Sequence, residues 1–563
     1  MAIFKRILFS LFFSAISFIV YWCIFSPIYY SEIITISFAV HPFNICETQP
    51  QLWNIIKNSS VIFYLFSNLI LFIFISTKII RKKRKNKIKK IHNNQNSLTL
   101  LVGKDLAENE IYIPEKSLYQ NILITGTIGS GKTSSAMYPF TKQLIEYKSN
   151  VTNEKLGMLI LDVKGNYYLQ VKKYVSNFQR EDDLIVLDLS GNIKFNPLHK
   201  PNLKASVLAN RLKTILLLFS PNNTESFWLD KVEQILSECI KLCRLYNNGY
   251  VTFEELHNLV VIPNYYEKKI ELLRTLFSQN SFSHEEVYDL LSSLNFFEKE
   301  YAILDERTKS ILKSEVTRIT NIFISDYQVK NVFCPPKEEI NFLGFEDLIK
   351  NGKIVVLNLN ISEYKNLSKV IAAYLKLDFQ TEVLNRLSNT SSLENKRSVC
   401  FISDEYHEYV TLSDSSFFSQ SREAKCINIV ATQSYTSLLN TLNNQSSVRV
   451  IVQNLVNKLW FRTDDMFTIE DAQKQIGKED KEKFSKTISE NAKETNYNYL
   501  FQKFQSKNSS LSESFNSYFQ NDFIYDTNFF TRELETFSCL SFLSDGNTIL
   551  PPQKIKLIPY FKN

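Results

Sequence analysis

Hydrophobic and polar positions along the chain fall into distinct regimes. No residue from Ile7 to Tyr30 is charged, and Asn58 to Thr77 is likewise uncharged and rich in Phe, Ile and Leu. Runs of about 20 such residues cross a bilayer core as helices, so the pattern predicts transmembrane helices at about 7–30 and 58–80. From about residue 98 short apolar runs recur, at 121–125, 157–162, 183–189, 353–359, 399–403, 427–432 and 458–462. Several are nearly continuous Val, Ile and Leu, as in strands buried on both faces of a parallel sheet, and longer helical stretches separate them. Between about 200 and 345 this alternation stops. Segments 205–219, 227–246, 266–277, 284–299 and 306–324 read as amphipathic helices. The polar stretch 478–520, with Tyr and Phe interleaved, predicts a loop or a β-ribbon.

Charge sharpens the membrane reading. Residues 1–90 hold twelve Lys and Arg against Glu32 and Glu47, so the basic net charge of +7 resides there and the remainder is slightly acidic. Lys5 and Arg6 precede the first apolar run, and eight basic residues in ten follow the second. The positive-inside rule then places the N-terminus and residue 81 onward in the cytosol of a cell inner or plasma membrane. The basic run 81–90 reads as a stop-transfer flank touching acidic lipids rather than as a DNA contact. A cleaved signal peptide is the weaker reading of the first run, because no small-x-small site follows closely. The eight cysteines and six histidines have no metal-ligand spacing, which argues against a zinc site and suits reduced cytosolic thiols. With 44% apolar and 22% charged residues, the chain is not disordered and has room for two or three domains.

Glycine is scarce, twelve in all, yet three fall within Gly126-Thr127-Ile128-Gly129-Ser130-Gly131-Lys132-Thr133, directly after an apolar run. This fits G-x-x-x-x-G-K-[ST], a loop whose backbone N–H groups curl around phosphate oxygens at a helix N-terminus. Lys132 would reach the β- and γ-phosphates of ATP, and the Thr133 hydroxyl would ligate Mg²⁺. The second half of such a site is an acid at the end of another buried strand. Asp404 and Glu405, ending the run from Val399, supply it: Asp404 to hold Mg²⁺, Glu405 to orient or polarise the attacking water. Ser403 stands where an apolar residue is usual.

At this point the chain resembles the type IV secretion coupling proteins, the TraG-like ATPases of conjugative DNA transfer. The motifs that carry the resemblance are Pro139 early in the phosphate-loop helix, Asp162-Val163-Lys164-Gly165-Asn166, Phe195-Asn196-Pro197-Leu198, Phe227-Trp228, Glu306 to Ile311, and Ala431-Thr432-Gln433-Ser434. Val163 and Asn166 depart from the family's D-P-K-G-E. The resemblance implies an α/β, membrane-anchored P-loop NTPase with a RecA-like, mostly parallel sheet. Residues 1–90 would be the anchor, 98–199 and 346–563 the nucleotide-binding domain, and 200–345 an inserted all-helical domain that reads substrate.

The resemblance further implies a homo-hexameric ring in the inner membrane lipids. Such a ring couples a relaxase bound to single-stranded DNA, or a protein substrate, to the subunits of a type IV secretion channel, at the cost of ATP. Gln433 matches the family's sensor of the γ-phosphate, and Arg422 its arginine finger, acting from a neighbouring subunit. A polar strand-end cap and a surface arginine are the plainer readings of those two. Asp162 and Lys164 would bridge the site to a neighbour or to the pore, or simply form a surface turn. Tyr167 and Tyr168 read as core residues before they read as base-stacking ones. Two other functions stay open: another membrane-tethered DNA translocase, or a protein-only secretion receptor with little motor activity. A small-molecule transporter is disfavoured, because two spans build no pathway.

Overall fold

The computed structural model describes residue 51 and residues 97–562, apart from 163, 219–225, 280–281, 360, 365, 389–396, 491–495, 499–502 and 506–510. Both predicted membrane spans lie outside the described residues. Among those described, no helix is long and apolar enough to cross a membrane. Residues 98–563 form a unit by themselves.

Fifteen strands are described: β1 (Thr99–Asp105), β2 (Glu110–Pro114), β3 (Ile122–Thr125), β4 (Gly157–Leu161), β5 (Leu184–Leu187), β6 (Ile354–Leu357), β7 (Val399–Ser403), β8 (Cys426–Thr432), β9 (Asn457–Phe461), β10 (Lys478–Glu490), β11 (Asn496–Asn498), β12 (Lys503–Gln505), β13 (Leu511–Phe523), β14 (Ser538–Phe542) and β15 (Gln553–Lys556). Eleven make one sheet, in the order β2-β1-β15-β14-β9-β3-β8-β7-β4-β6-β5. From β9 to β5 every pairing is parallel. From β9 to β2 every pairing is antiparallel. The fold is thus α/β with a large, mostly parallel sheet, as the apolar runs imply.

The parallel strands are buried on both faces, which explains their unbroken hydrophobicity. Their side chains alternate between two cores. Leu123, Leu159 and Phe401 enter one, while Ile124, Ile160 and Ile402 enter the other. The second core is covered by α1 (Tyr138–Glu146) and α2 (Tyr167–Asn177).

Between β5 and β6 the chain runs through helices α3 (Ala205–Leu218), α4 (Ser226–Tyr246), α5 (Phe253–Val261), α6 (Tyr265–Gln279), α7 (His284–Asn295), α8 (Glu306–Ile324), α9 (Tyr327–Phe333) and α10 (Phe345–Asn351). Capping sets several of their starts: Thr252, Ser283, Asp305 and Asp326 each accept a backbone N–H of the following turn, replacing bonds the helix cannot make for itself. These helices share the first core with the sheet and with α11 (Asn366–Ser388).

A buried charge cluster ties α3 to α11. Asp378 lies between Lys200 Nζ at 2.8 Å and Arg211 Nη1 at 2.7 Å, all three inside the protein. Burial opposes the Asp378 carboxylate, yet the two cations outweigh it and hold the carboxyl below its usual range. Its share of stability is therefore present above the ordinary carboxylate pKa and lost as pH falls through the lowered one. Asp378→Asn strands two cations, and we expect a loss of about 3–5 kcal/mol. A urea midpoint unchanged at constant slope would contradict it.

The described residues of the polar stretch 478–520 include a β-ribbon. Strands β10 and β13 pair antiparallel along their full lengths, with Phe484 opposite Ser517 and Lys486 opposite Phe515. Residues directly opposite share a face, and Phe484, Phe515 and Phe519 therefore lie on one side, all exposed. Helices α12 (Asp414–Gln420), α13 (Tyr435–Leu442), α14 (Gln445–Asn454) and α15 (Met466–Ile476) complete the unit.

Candidate nucleotide site

The phosphate loop leaves the C-terminal end of β3, near the centre of the sheet. Gly126 and Gly131 take φ of 156° and 98°. A Cβ on Gly126 would meet Phe461 Cβ at 2.6 Å, and one on Gly131 would meet the Phe537 ring at 2.5 Å. Only glycine lets the loop pass these walls. The following helix opens with a π-helical turn, Thr133–Met137, before α1. Pro139 has no N–H and its ring would crowd the Ser135 carbonyl, so the wider turn accommodates it.

Two stretches far apart in sequence meet here. Thr133 Oγ1 donates to Asp404 Oδ2 at 3.0 Å. Asp404 stands at the end of β7, two strands from β3, with β8 between them. Burial pushes the Asp404 carboxyl up to about 6, against the pull of nearby Lys164. A hydroxyl and a buried carboxylate side by side are hard oxygen donors of the kind magnesium takes together with phosphate oxygens, so the residues present fit that ion. Lys132 is buried. Its Nζ donates to the carbonyls of Gly126 and, at 3.2 Å, Thr127. Burial lowers its pKa.

Glu405 has left-handed backbone, φ 51°, and both of its carboxylate oxygens have partners. Oε1 pairs with Lys164 Nζ. Oε2 accepts from Gln433 Nε2 at 3.3 Å and lies 3.6 Å from His407 Nδ1. Burial works against its charge, but Lys164 prevails and holds the carboxyl below its usual range. Gln433 follows β8, and its own carbonyl accepts the Gly126 N–H at 3.2 Å. The backbone between the phosphate loop and Gln433, and the amide between Gln433 and Glu405, thus connect three motifs.

The loop after Glu405 is anchored from beneath. Tyr406 OH donates to Asp414, which also receives Lys376 Nζ at 2.6 Å and Gln380 Nε2 at 2.9 Å. Tyr409 OH reaches Ser403 Oγ at 2.7 Å and the Asp404 carbonyl at 3.0 Å. Ser403, unusual before the acid, is thereby explained: its hydroxyl holds Tyr409.

Asp162 caps the turn that carries Lys164. Its carboxylate accepts the N–H groups of Lys164, Gly165, Asn166 and Tyr167 at 2.9–3.3 Å. Asn166, where the family has an acid, takes part only through its backbone. Tyr167 is wholly buried, and its hydroxyl meets Thr141 Oγ1 at 2.7 Å; it packs in the core, and Tyr168 packs against that core half-buried.

Lys132, Thr133, Asp404, Glu405 and Gln433 therefore converge, and Gly126, Thr127, Ile128, Gly129, Ser130 and Gly131 form the loop around them. Arg422 does not join them. It lies exposed on the turn before β8, whereas the site lies past the strand's other end. Seven residues of β8 separate the two ends by about 20 Å at the rise of a strand. Sequence reasoning missed the Lys164–Glu405 pair and His407. The Asp162–Asn166 motif singled out Lys164, but nothing in the sequence placed it on Glu405, and no spacing marked His407.

Residues 335–512, which include Asp404, Glu405, Arg422 and Gln433, match the family described as the type IV secretion-system coupling protein DNA-binding domain. Over this stretch the chain is similar to the type IV coupling proteins. No curated protein matches the sequence. Among solved structures, the unbound bacterial conjugative coupling protein TrwBdeltaN70 is 13% identical, with a TM-score of 0.52, covering 84% of this chain and 91% of its own. The plasmid coupling protein TrwB with the non-hydrolysable GTP analogue GDPNP is also 13% identical, at a TM-score of 0.50, covering 83% and 96%. TrwB with ADP and Mg²⁺ gives 13% and 0.50 over 79% and 87%. At that identity the likeness speaks for the fold alone: the chain shares the TrwB architecture across most of both chains.

Proposed function

We propose that this protein is a type IV coupling protein, an ATP hydrolase anchored in the cell inner membrane by its first 90 residues. As a homo-hexamer it delivers single-stranded DNA with its relaxase, or a protein, to a type IV secretion channel. The observation that carries the reading is the meeting of Thr133 and Asp404, 3.0 Å apart, with Glu405 beside them. Bound magnesium would supply charge neutralisation at the phosphates. Lys132 would turn from its carbonyl partners to the β- and γ-phosphate oxygens. Glu405 would accept hydrogen bonds from the attacking water and take its proton. Gln433, bonded to both the loop and Glu405, would sense whether the terminal phosphate is present. The TrwB structures with GDPNP and with ADP and Mg²⁺ support a nucleotide and that ion as ligands.

The test is steady-state ATP hydrolysis by the purified full chain, with and without single-stranded DNA. Stimulation supports a DNA motor; turnover without stimulation favours protein cargo; no turnover in any condition overturns the hydrolase reading. The position of Arg422 adds a sharper expectation. Because it cannot reach the site of its own chain, Arg422→Ala protein mixed with Lys132→Ala protein regains turnover if the guanidinium acts across a subunit boundary. A mixture as inactive as its two components at every ratio would leave Arg422 an ordinary surface residue.

A further inference from the structure

Glu405 is held with both carboxylate oxygens engaged. While Lys164 pairs with Oε1 and Gln433 with Oε2, an attacking water has to compete with both for the remaining lone pairs. Its backbone cannot swing away, because Tyr406 and Tyr409 are buried and bonded on either side of the next turn. Any release must come from its partners.

The two members of the ion pair differ in reach. The Glu405 side chain is 8% exposed, that of Lys164 48%. The Lys164 backbone is fixed by Asp162 through four N–H groups, so the side chain alone moves, on a flexible four-carbon stem. The half-open ammonium is the member that an incoming ligand meets. What competes with a carboxylate for an ammonium is another oxyanion, and the oxyanions of this chemistry are phosphates.

We infer that Lys164 is a positioning residue that withholds Glu405 from the attacking water until a phosphate oxyanion draws its ammonium away. This rests on the hydrolase reading above and adds its control. The phosphate has two sources, the backbone of a polynucleotide or the terminal group of the bound nucleotide, and the same pairing would couple either to hydrolysis. No covalent step is added. The pair opens, and Glu405 Oε1 becomes free to accept a hydrogen bond.

The experiment is ATP hydrolysis by the full chain carrying Lys164→Met or Lys164→Arg, read as kcat and KM with and without a single-stranded oligonucleotide. If the polynucleotide is the source, Lys164→Met raises kcat without DNA about two- to fivefold, the range over which a partly exposed ion pair biases two states. The oligonucleotide then adds nothing to that variant while it stimulates the wild type. If the nucleotide is the source, Lys164→Met lowers KM by a similar factor at unchanged kcat, since ATP no longer has to open the pair. Lys164→Arg, which keeps the pairing, restores wild-type behaviour in either case. Wild-type kcat and KM in Lys164→Met, or a fall in turnover, overturns the inference while leaving the hydrolase reading intact. A wild-type chain that never turns over ATP removes both.

Discussion

Lys132→Ala abolishes ATP turnover, with a loss of at least about 10²–10³-fold, the scale of removing one preorganised charge from a phosphoryl-transfer site. The argument is local. The Lys132 ammonium is buried beside the phosphate loop, where its acceptors among the described residues are the carbonyls of Gly126 and Thr127. A cation in such a place is costly to keep unless an anion is to arrive. Removing it takes away the attraction for the phosphates and the stabilisation of charge as the bond breaks. The fold should survive, since the loop's shape depends on Gly126 and Gly131 and on the Thr127 N–H bond to the Arg462 carbonyl at 2.9 Å. Circular dichroism and membrane insertion of the variant should match the wild type. Turnover at the wild-type rate would refute the assignment of the site.

Glu405→Gln separates binding from chemistry. We expect nucleotide affinity to change only a few-fold while kcat falls by about 10²–10⁴, the contribution of a positioned general base. The amide has the shape of the carboxylate but cannot accept the proton. The phosphate-binding parts, Lys132 and the 126–133 loop, do not contact Glu405 through hydrogen bonds; its partners are Lys164 and Gln433. Equilibrium binding of a fluorescent ATP analogue set against steady-state hydrolysis distinguishes the cases. Equal losses in affinity and turnover would place Glu405 among the ligand-holding residues instead.

The parallel half of the sheet was legible because its strands are covered on both faces, and unbroken Val, Ile and Leu needs no context to be recognised. The antiparallel half was not. β1 and β15 pair Lys104 with Lys556, a contact between opposite ends of the described chain, and their half-polar sequences carry no local sign of it. The run at 183–189 ends as a strand at Leu187 because Asp188 turns back to accept the Ser190 N–H at 3.0 Å. Helix α5 was missed although Thr252 caps it, since its nine residues show too few turns of periodicity. The ribbon was one of two forms expected for 478–520.

Within the site the same division holds. Spacing singled out Lys132 and Thr133, the acids at a strand end drew their meaning from that loop, and the structure brings Thr133 and Asp404 together. The pairing of Lys164 with Glu405 joins residues 241 positions apart and follows from the neighbouring places of β4 and β7 in the sheet, which no motif encodes. Arg422 is the reverse case. Its motif was visible, and only the topology reveals that it sits at the far end of β8.

That last placement has a mechanical consequence. β8 is bonded along its length to β7 on one side and β3 on the other, so it behaves as a rigid rod. One tip bears the Gln433 amide and the opposite tip bears Arg422. If the chain assembles as proposed, with Arg422 offered to the neighbouring subunit, this strand links the Gln433 end of one site to the residue that serves the next. Firing order around the ring would then be written into a single strand.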